Sequence, residues 1–246
     1  MDVLARAIND LVIANRILAK EDVVDAYGHV SIRHPQKPDH YLLSRSLSPE
    51  FVARDDIIEF RLDGTPVNDS RPPYLERFIH GAVYEARPDI SAVVHSHAED
   101  ILPFSISRTP MCCVAHVASD MGGHVPVWDI ADKFGDETNL LVINMEQGRD
   151  MAKALGGNAV VLMRGHGFSA AADGLLKLVR MSVYLPRNAR ILLAAMRMGE
   201  FKALSEGEIR RRNQFRAGSP EMQRGWEFWA RRAGCGDMLA TSAGGV

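Results

Sequence analysis

The chain has 246 residues, 46% hydrophobic and 24% charged, which is enough to build a core without disulfide staples. A formal net charge of −2 offers no basic face for nucleic acid, and no run of about 18 apolar residues exists to cross a membrane. Cys112, Cys113 and Cys235 form no disulfide framework, and the N-terminus lacks the apolar centre of a signal peptide, so a cytoplasmic protein is expected.

Residues 3–19 place Leu4, Ile8, Leu11, Val12 and Leu18 on one helical face. "YGHVSIRHP" (27–35) predicts a turn and a short strand stopped by Pro35. "HYLLSRSLSPEFV" (40–52) predicts a strand and then a helix start, with Ser48 as N-cap and Pro49 at the first helical position. "IIEFRLDGTPV" (57–67) predicts two short strands around an Asp-Gly turn. "YLERFIHGAVYEARPD" (74–89) predicts a helix ended by Pro88, and "ISAVVHSH" (90–97) a strand. A helix start over 98–104, a strand near "MCCVAHVA" (111–118) and a turn at Gly122-Gly123 follow. "NLLVIN" (139–144) reads as a strand or helix margin leading into the helix "GRDMAKALGG" (148–157), and "NAVVLMRGHG" (158–167) as a strand. Residues 175–199 predict a helix pair interrupted by Pro186, and a charged tail from about 203 predicts helix around "EMQRGWEFWARRA". Short turns between strands outnumber any βαβ rhythm. The pattern predicts a largely antiparallel sheet covered by helices, in a single domain spanning 1–246.

The chemistry concentrates in histidines. Residues i and i+2 of a strand share a face, so His95 and His97 project together from backbone positions about 7 Å apart. "VVLMRGHG" repeats the grammar: an apolar strand leads to His166 between two glycines, where the backbone can turn sharply. Zinc and similar ions need three or four such ligands. Either histidine motif alone also fits a strand end or a turn; together they point to a metal.

With "YGHVS" (27–31), "ERFIHGAVYEARPDISAVVHSH" (76–97) and "LMRGHG" (162–167) in view, the sequence resembles the class II aldolase/adducin superfamily over roughly residues 3–200. The resemblance implies a three-layer α/β/α sandwich with a mainly antiparallel central sheet. It also implies a homotetramer with active sites at subunit interfaces and one divalent metal ion (Zn, Mn, Co or Fe) per subunit. Carried over, the metal ligands are His95, His97 and His166, and the catalytic acid is Glu76, 19 residues before His95. A metal there would act as a Lewis acid for charge developing on a substrate oxygen.

The sequence departs from the sugar-phosphate aldolases of that superfamily. Where they carry Gly-Asn-x-Ser, this chain has Gly28-His29-Val30-Ser31; where they carry two serines before the acid, it has Tyr74 and Leu75. A phosphate cradle is therefore not expected. His29, Ser31, Arg33, Ser44, Arg45 and Tyr74, with Ser46, are expected to bind a small anionic substrate, the arginines gripping carboxylate. His116, aligned on the Gly122-Gly123 turn, takes the place of a proton-donating tyrosine contributed by the neighbouring subunit. "GHVSIRHP", "LLSRSLSPE" and "ERFIHGAVYEARPD" resemble the metal-dependent decarboxylases of hydroxylated aromatic acids, such as 3-hydroxy-2-methylpyridine-4,5-dicarboxylate 4-decarboxylase and the dihydroxyphthalate decarboxylases. The expectation is a carbon–carbon lyase decarboxylating a hydroxylated aromatic dicarboxylate. The alternatives are an aldolase or epimerase on a small non-phosphorylated hydroxy acid, and a non-catalytic adducin-like interaction module. Trp226, Phe228 and Trp229 read as packing or subunit contact.

Overall fold

A computed structural model describes residues 2–214 and 219–242; Met1 and two pieces of the expected tail, 215–218 and 243–246, lie outside the described residues. The strands β1 (His29–Arg33), β2 (His40–Ser44), β3 (Ile57–Arg61), β4 (Ala92–Ser96), β5 (Val127–Trp128), β6 (Val160–Met163) and β7 (Gly167–Ala172) form one sheet, in the order β3-β2-β1-β4-β7-β6-β5. Neighbours are antiparallel except β5 and β6, which are parallel. The sheet is thus mixed, which corrects the mainly antiparallel expectation. The parallel edge follows from connectivity: between β5 and β6 the chain crosses over through α4 (Ala131–Phe134) and α5 (Met145–Leu155), as parallel neighbours require.

Strand alternation divides the core in two. On one face Val30, Ile32, Val94, Leu162 and Phe168 pack under α1 (Val3–Lys20) and α6 (Leu175–Met198), against which α8 (Pro220–Arg232) lies. On the other, Tyr41, Phe60, Val93, Val161 and Met163 pack under α2 (Arg77–Ala86) and α5. This makes three layers, with the polar residues His29, Ser31 and His95 facing α2. The tail supplies α7 (Glu206–Arg212), α8 and α9 (Gly236–Ser242), and α8 and α9 pack on α1. Trp226 and Trp229 are buried there, while Phe228 is exposed. No described helix is long and apolar enough to cross a membrane.

Several local expectations are corrected. "MCCVAHVA" is not a strand, because its backbone is held by one side chain. Asn188 Oδ1 accepts from the N–H groups of Val114 and Ala115, and Asn188 Nδ2 donates to the Cys112 carbonyl at 2.8 Å. The segment ends in a 3-10 helix, His116–Met121. Helix α6 runs through Pro186 unbroken; Pro186 is buried with Leu185, Ala189 and Leu192, and that packing outweighs the hydrogen bond proline cannot make. The second strand expected after the Asp63-Gly64 turn shrinks to one bridge, Phe60 to Pro66, since Pro66 has no N–H to extend a ladder. Residues 139–144 are neither strand nor helix; Asn144 instead caps α5, accepting from Gln147 N–H. Pro49 begins a 3-10 helix, Pro49–Phe51, but the Ser48 side chain makes no cap hydrogen bond. The single strand expected over 158–167 is the first arm of the hairpin β6–β7, with His166 in its turn.

Candidate functional site

Four elements bring four ligand atoms together. His95 lies one residue before the end of β4, His97 follows just beyond it, His166 occupies the β6–β7 turn, and Glu76 immediately precedes α2. Antiparallel pairing of β4 with β7 sets Ser96 against Phe168 and so carries His166 alongside His97. The close approach depends on Gly167, where a Cβ would lie 2.0 Å from the Ser96 carbonyl oxygen. His95 Nε2 is 3.0 Å from His97 Nε2, which is 3.1 Å from His166 Nε2. Glu76 Oε2 lies 3.3 Å from His95 Nε2 and 3.5 Å from His166 Nε2. All four ligand atoms fall within 4.8 Å of one another.

The hydrogen bonds behind these atoms fix their chemistry. His95 Nδ1 lies 3.1 Å from the Phe168 carbonyl, which can only accept, so Nδ1 carries the proton and Nε2 the lone pair. His97 Nδ1 faces Asp25 Oδ1 at 3.4 Å, which selects the same tautomer. Glu76 Oε1 accepts the Val142 N–H at 3.0 Å, leaving Oε2 turned to the histidines. Burial alone would raise the Glu76 carboxyl, but His95 and His166 outweigh it and hold the group well below the usual carboxylate range. Burial, with His95 and His166 beside it, lowers His97 to about 4, so the ring is neutral near pH 7. Lone pairs crowded on one point repel unless a cation sits between them. Three imidazole nitrogens and a carboxylate oxygen therefore fit a divalent ion.

The sequence over residues 9–193 matches the family described as Class II Aldolase and Adducin N-terminal domain. The chain belongs to that family. Decarboxylase tropJ of Talaromyces stipitatus is 32% identical over 251 residues, covering 92% of this chain and 94% of the relative. The 3,4-dihydroxyphthalate decarboxylase of Arthrobacter keyseri is 28% identical over 207 residues, covering 77% and 78%. Among solved structures, an aldolase II superfamily protein from Pseudomonas syringae superposes with a TM-score of 0.78 at 21% identity, covering 95% of this chain and 94% of that one. Relatives whose names give an activity include decarboxylases, aldolases, a dehydratase and an oxygenase, and the decarboxylases among them match the decarboxylase branch of the family.

In this class II aldolase domain the metal-type cluster opens onto a cavity of about 520 Å³, lined by His29, Tyr74, Glu76, His97 and His166 among others. The other sequence-expected residues divide. Ser44 is buried behind Tyr74, its hydroxyl 3.2 Å from the Tyr74 hydroxyl, and the Tyr74 hydroxyl also donates to the Leu47 carbonyl. Ser31 is buried under α2, off the cavity. Arg33 is not at the site, because its guanidinium is consumed by the carbonyls of Ile90, Pro38, Tyr84 and Arg87. Arg45 is likewise outside the cavity, paired with Asp56 at 2.7 Å. His116 lines separate surface cavities with Arg180, Arg212 and Arg224, away from Glu76 of its own chain.

Asp25, Tyr27, Ser46, Leu75 and residues 139–141 also line the cavity. Of these, Asp25, Tyr27 and 139–141 were not anticipated. Asp25 had a signal: its Oδ1 accepts from the N–H groups of Tyr27 and Gly28, an Asx turn readable in "DAYG". Burial pushes the Asp25 carboxyl up, but those two N–H groups and His97 more than offset it, so it stays ionised. The loop 139–141 carried no such signal.

Proposed function

We propose that this protein is a divalent-metal-dependent carboxy-lyase acting on a hydroxylated aromatic carboxylate or dicarboxylate. The observation that carries the reading is the three-nitrogen, one-carboxylate cluster at a cavity walled by Tyr27, Tyr74, Leu75, Leu140 and Leu141. Flat and apolar walls suit an aromatic ring, where a sugar phosphate would want hydroxyl and amide donors. Similarity to decarboxylases supports the same reading.

A divalent ion held by His95, His97, His166 and Glu76 supplies Lewis acidity for negative charge on substrate oxygens. The side chains do the rest. Tyr74, its hydroxyl tied inward, presents its ring as a wall. His29 and Ser46 offer polar contacts to the substrate's oxygens. The bond between ring carbon and carboxylate breaks, carbon dioxide leaves, the electron pair stays with the hydroxylated ring, and a proton takes the vacated position. Glu76, which lines the cavity, is one proton carrier when its carboxylate is displaced from the ligand set by substrate. His116 is the other, acting across a subunit contact in a homotetramer. Zinc, manganese, cobalt and iron all accept this donor set.

The test is product analysis on a panel of hydroxylated aromatic dicarboxylates, with His95→Ala as control. Carbon dioxide release that the control abolishes is expected. An aldehyde product from hydroxy acids, with no carbon dioxide from any aromatic acid, would transfer the site to aldol cleavage.

A further inference from the structure

Four polar side chains form an unbroken buried chain behind the cavity. His29 Nδ1 lies 2.7 Å from His80 Nε2, His80 Nδ1 lies 2.6 Å from Ser31 Oγ, and Ser31 Oγ lies 2.9 Å from the Tyr84 hydroxyl. The fold explains the assembly: alternation along β1 turns His29 and Ser31 toward α2, where His80 and Tyr84 sit one helical turn apart. The His29 ring is wedged between Tyr74 and His95, at centroid distances of 4.6 and 5.2 Å, so it cannot turn over.

Counting protons along the chain gives it a direction. The 2.7 Å contact between His29 Nδ1 and His80 Nε2 holds one proton, so one ring donates there and the ring that accepts carries its own N–H on its other nitrogen. The chain can run in two senses. In the first, Tyr84 donates to Ser31, Ser31 to His80 Nδ1, and His80 Nε2–H to His29 Nδ1. The proton left over is on His29 Nε2, at the cavity. In the second every donor reverses, and the proton left over is the Tyr84 hydroxyl's, inside the core. There the neighbouring backbone group is the Val93 N–H, a donor rather than an acceptor. A buried donor without an acceptor is costly, whereas a donor at a cavity meets water or ligand. The first sense wins.

We infer that His80, Ser31 and Tyr84 are positioning residues that fix His29 as the Nε2–H tautomer, making it a neutral hydrogen-bond donor to an anionic oxygen of the substrate. The inference rests on the proposed reading that this cavity binds an aromatic carboxylate. It adds a fixed donor to a cavity in which no lysine or arginine is among the described lining residues. A neutral donor selects for an acceptor oxygen by geometry, and the wedged ring offers only one direction.

Two measurements test this. Long-range proton–nitrogen NMR on the zinc-loaded full chain reads the tautomer without reference to activity. The expected result is a proton on His29 Nε2; a proton on Nδ1 overturns the inference. Steady-state kinetics on His80→Leu and His80→Gln read the consequence. His80→Leu is expected to keep one zinc per chain and lose about tenfold to a hundredfold in kcat/KM, mostly through KM. His80→Gln, whose amide can donate to His29 Nδ1, is expected to recover most of that loss. A His80→Leu chain within about twofold of wild type, or one that no longer holds zinc, contradicts a positioning role. If no aromatic acid is turned over, the proposed function fails on its own, and the NMR tautomer alone decides this inference.

Discussion

Alanine at Gly167 asks whether the sheet itself sets the spacing of the histidines. Its Cβ would meet the Ser96 carbonyl oxygen at 2.0 Å, the Ser96 carbonyl carbon at 3.0 Å and His97 Cα at 3.1 Å. Ordinary contact begins at 3.4 Å, so the start of β7 must move away from the end of β4 by about 1.4 Å, the difference between 3.4 and 2.0. Backbone meets backbone there, so no side-chain rotation relieves the clash. His166 is the adjacent residue and moves with it, while His95 and His97 stay on β4. Metal–ligand distances tolerate only about 0.2 Å. Gly167→Ala is therefore expected to weaken zinc binding by about a hundredfold or more, beyond the usual cost of disturbing a ligand's support. Its stability should fall by about 1–3 kcal/mol, as for other overpacked sites. Competition with a chromophoric chelator reads the first quantity, and thermal melting by circular dichroism the second. A folded variant with wild-type zinc affinity would refute the reasoning.

Arg33→Lys should lower stability by about 2–3 kcal/mol, because lysine cannot serve four carbonyls at once, yet leave kcat unchanged; a selective loss of substrate binding would return Arg33 to the site. Glu76→Gln should retain zinc with weakened affinity and lose about 10²–10⁴-fold in kcat; unchanged turnover would remove Glu76 from proton transfer. The metal-free protein should lose stability on acidification. His80 is neutral when folded, near 3, against an ordinary value of 6.5, so the unfolded chain binds more protons between those limits. Its contribution is present above about pH 6.5 and is lost as pH falls toward 3, with a slope of up to about 1.4 kcal/mol per unit; a denaturation series in which His80→Gln keeps the same slope would contradict this. Mixing inactive His95→Ala with inactive His116→Ala chains should regenerate activity, since one subunit then carries an intact metal set and its neighbour an intact His116; no recovery in a mixed oligomer would confine His116 to a structural role.

The metal-type residues were legible because they obey simple rules. His95 and His97 follow from strand alternation, and His166 from the glycines that let the chain turn and let Gly167 touch Ser96. The arginines were expected at the site because their fork matches carboxylate, but Arg33 meets backbone carbonyls and Arg45 the Asp56 carboxylate. Arg33 sits where β1 passes the end of α2, and carbonyls of Tyr84, Arg87, Ile90 and Pro38 take its donors. β7 was missed because "GFSAAA" holds no β-branched residue; small side chains are used there because both faces are packed, and the whole strand is buried. The apolar run at 111–118 gave a strand pattern, but nothing local could reveal that Asn188, more than seventy residues later, occupies its backbone groups. His80 stood one turn after Glu76 in plain sight. Its link to His29 depends on β1 lying under α2, which only the assembled sheet supplies.

In the proposed function, one metal ion held by His95, His97, His166 and Glu76 is required for decarboxylation of an aromatic acid. The most direct measurement titrates zinc or manganese into chelator-stripped protein and follows carbon dioxide release from a dihydroxylated phthalate at each step. No release is expected without metal, followed by a linear rise that saturates at one ion per chain. Full activity in the stripped protein, or saturation of the metal with no carbon dioxide from any hydroxylated aromatic acid, would contradict it.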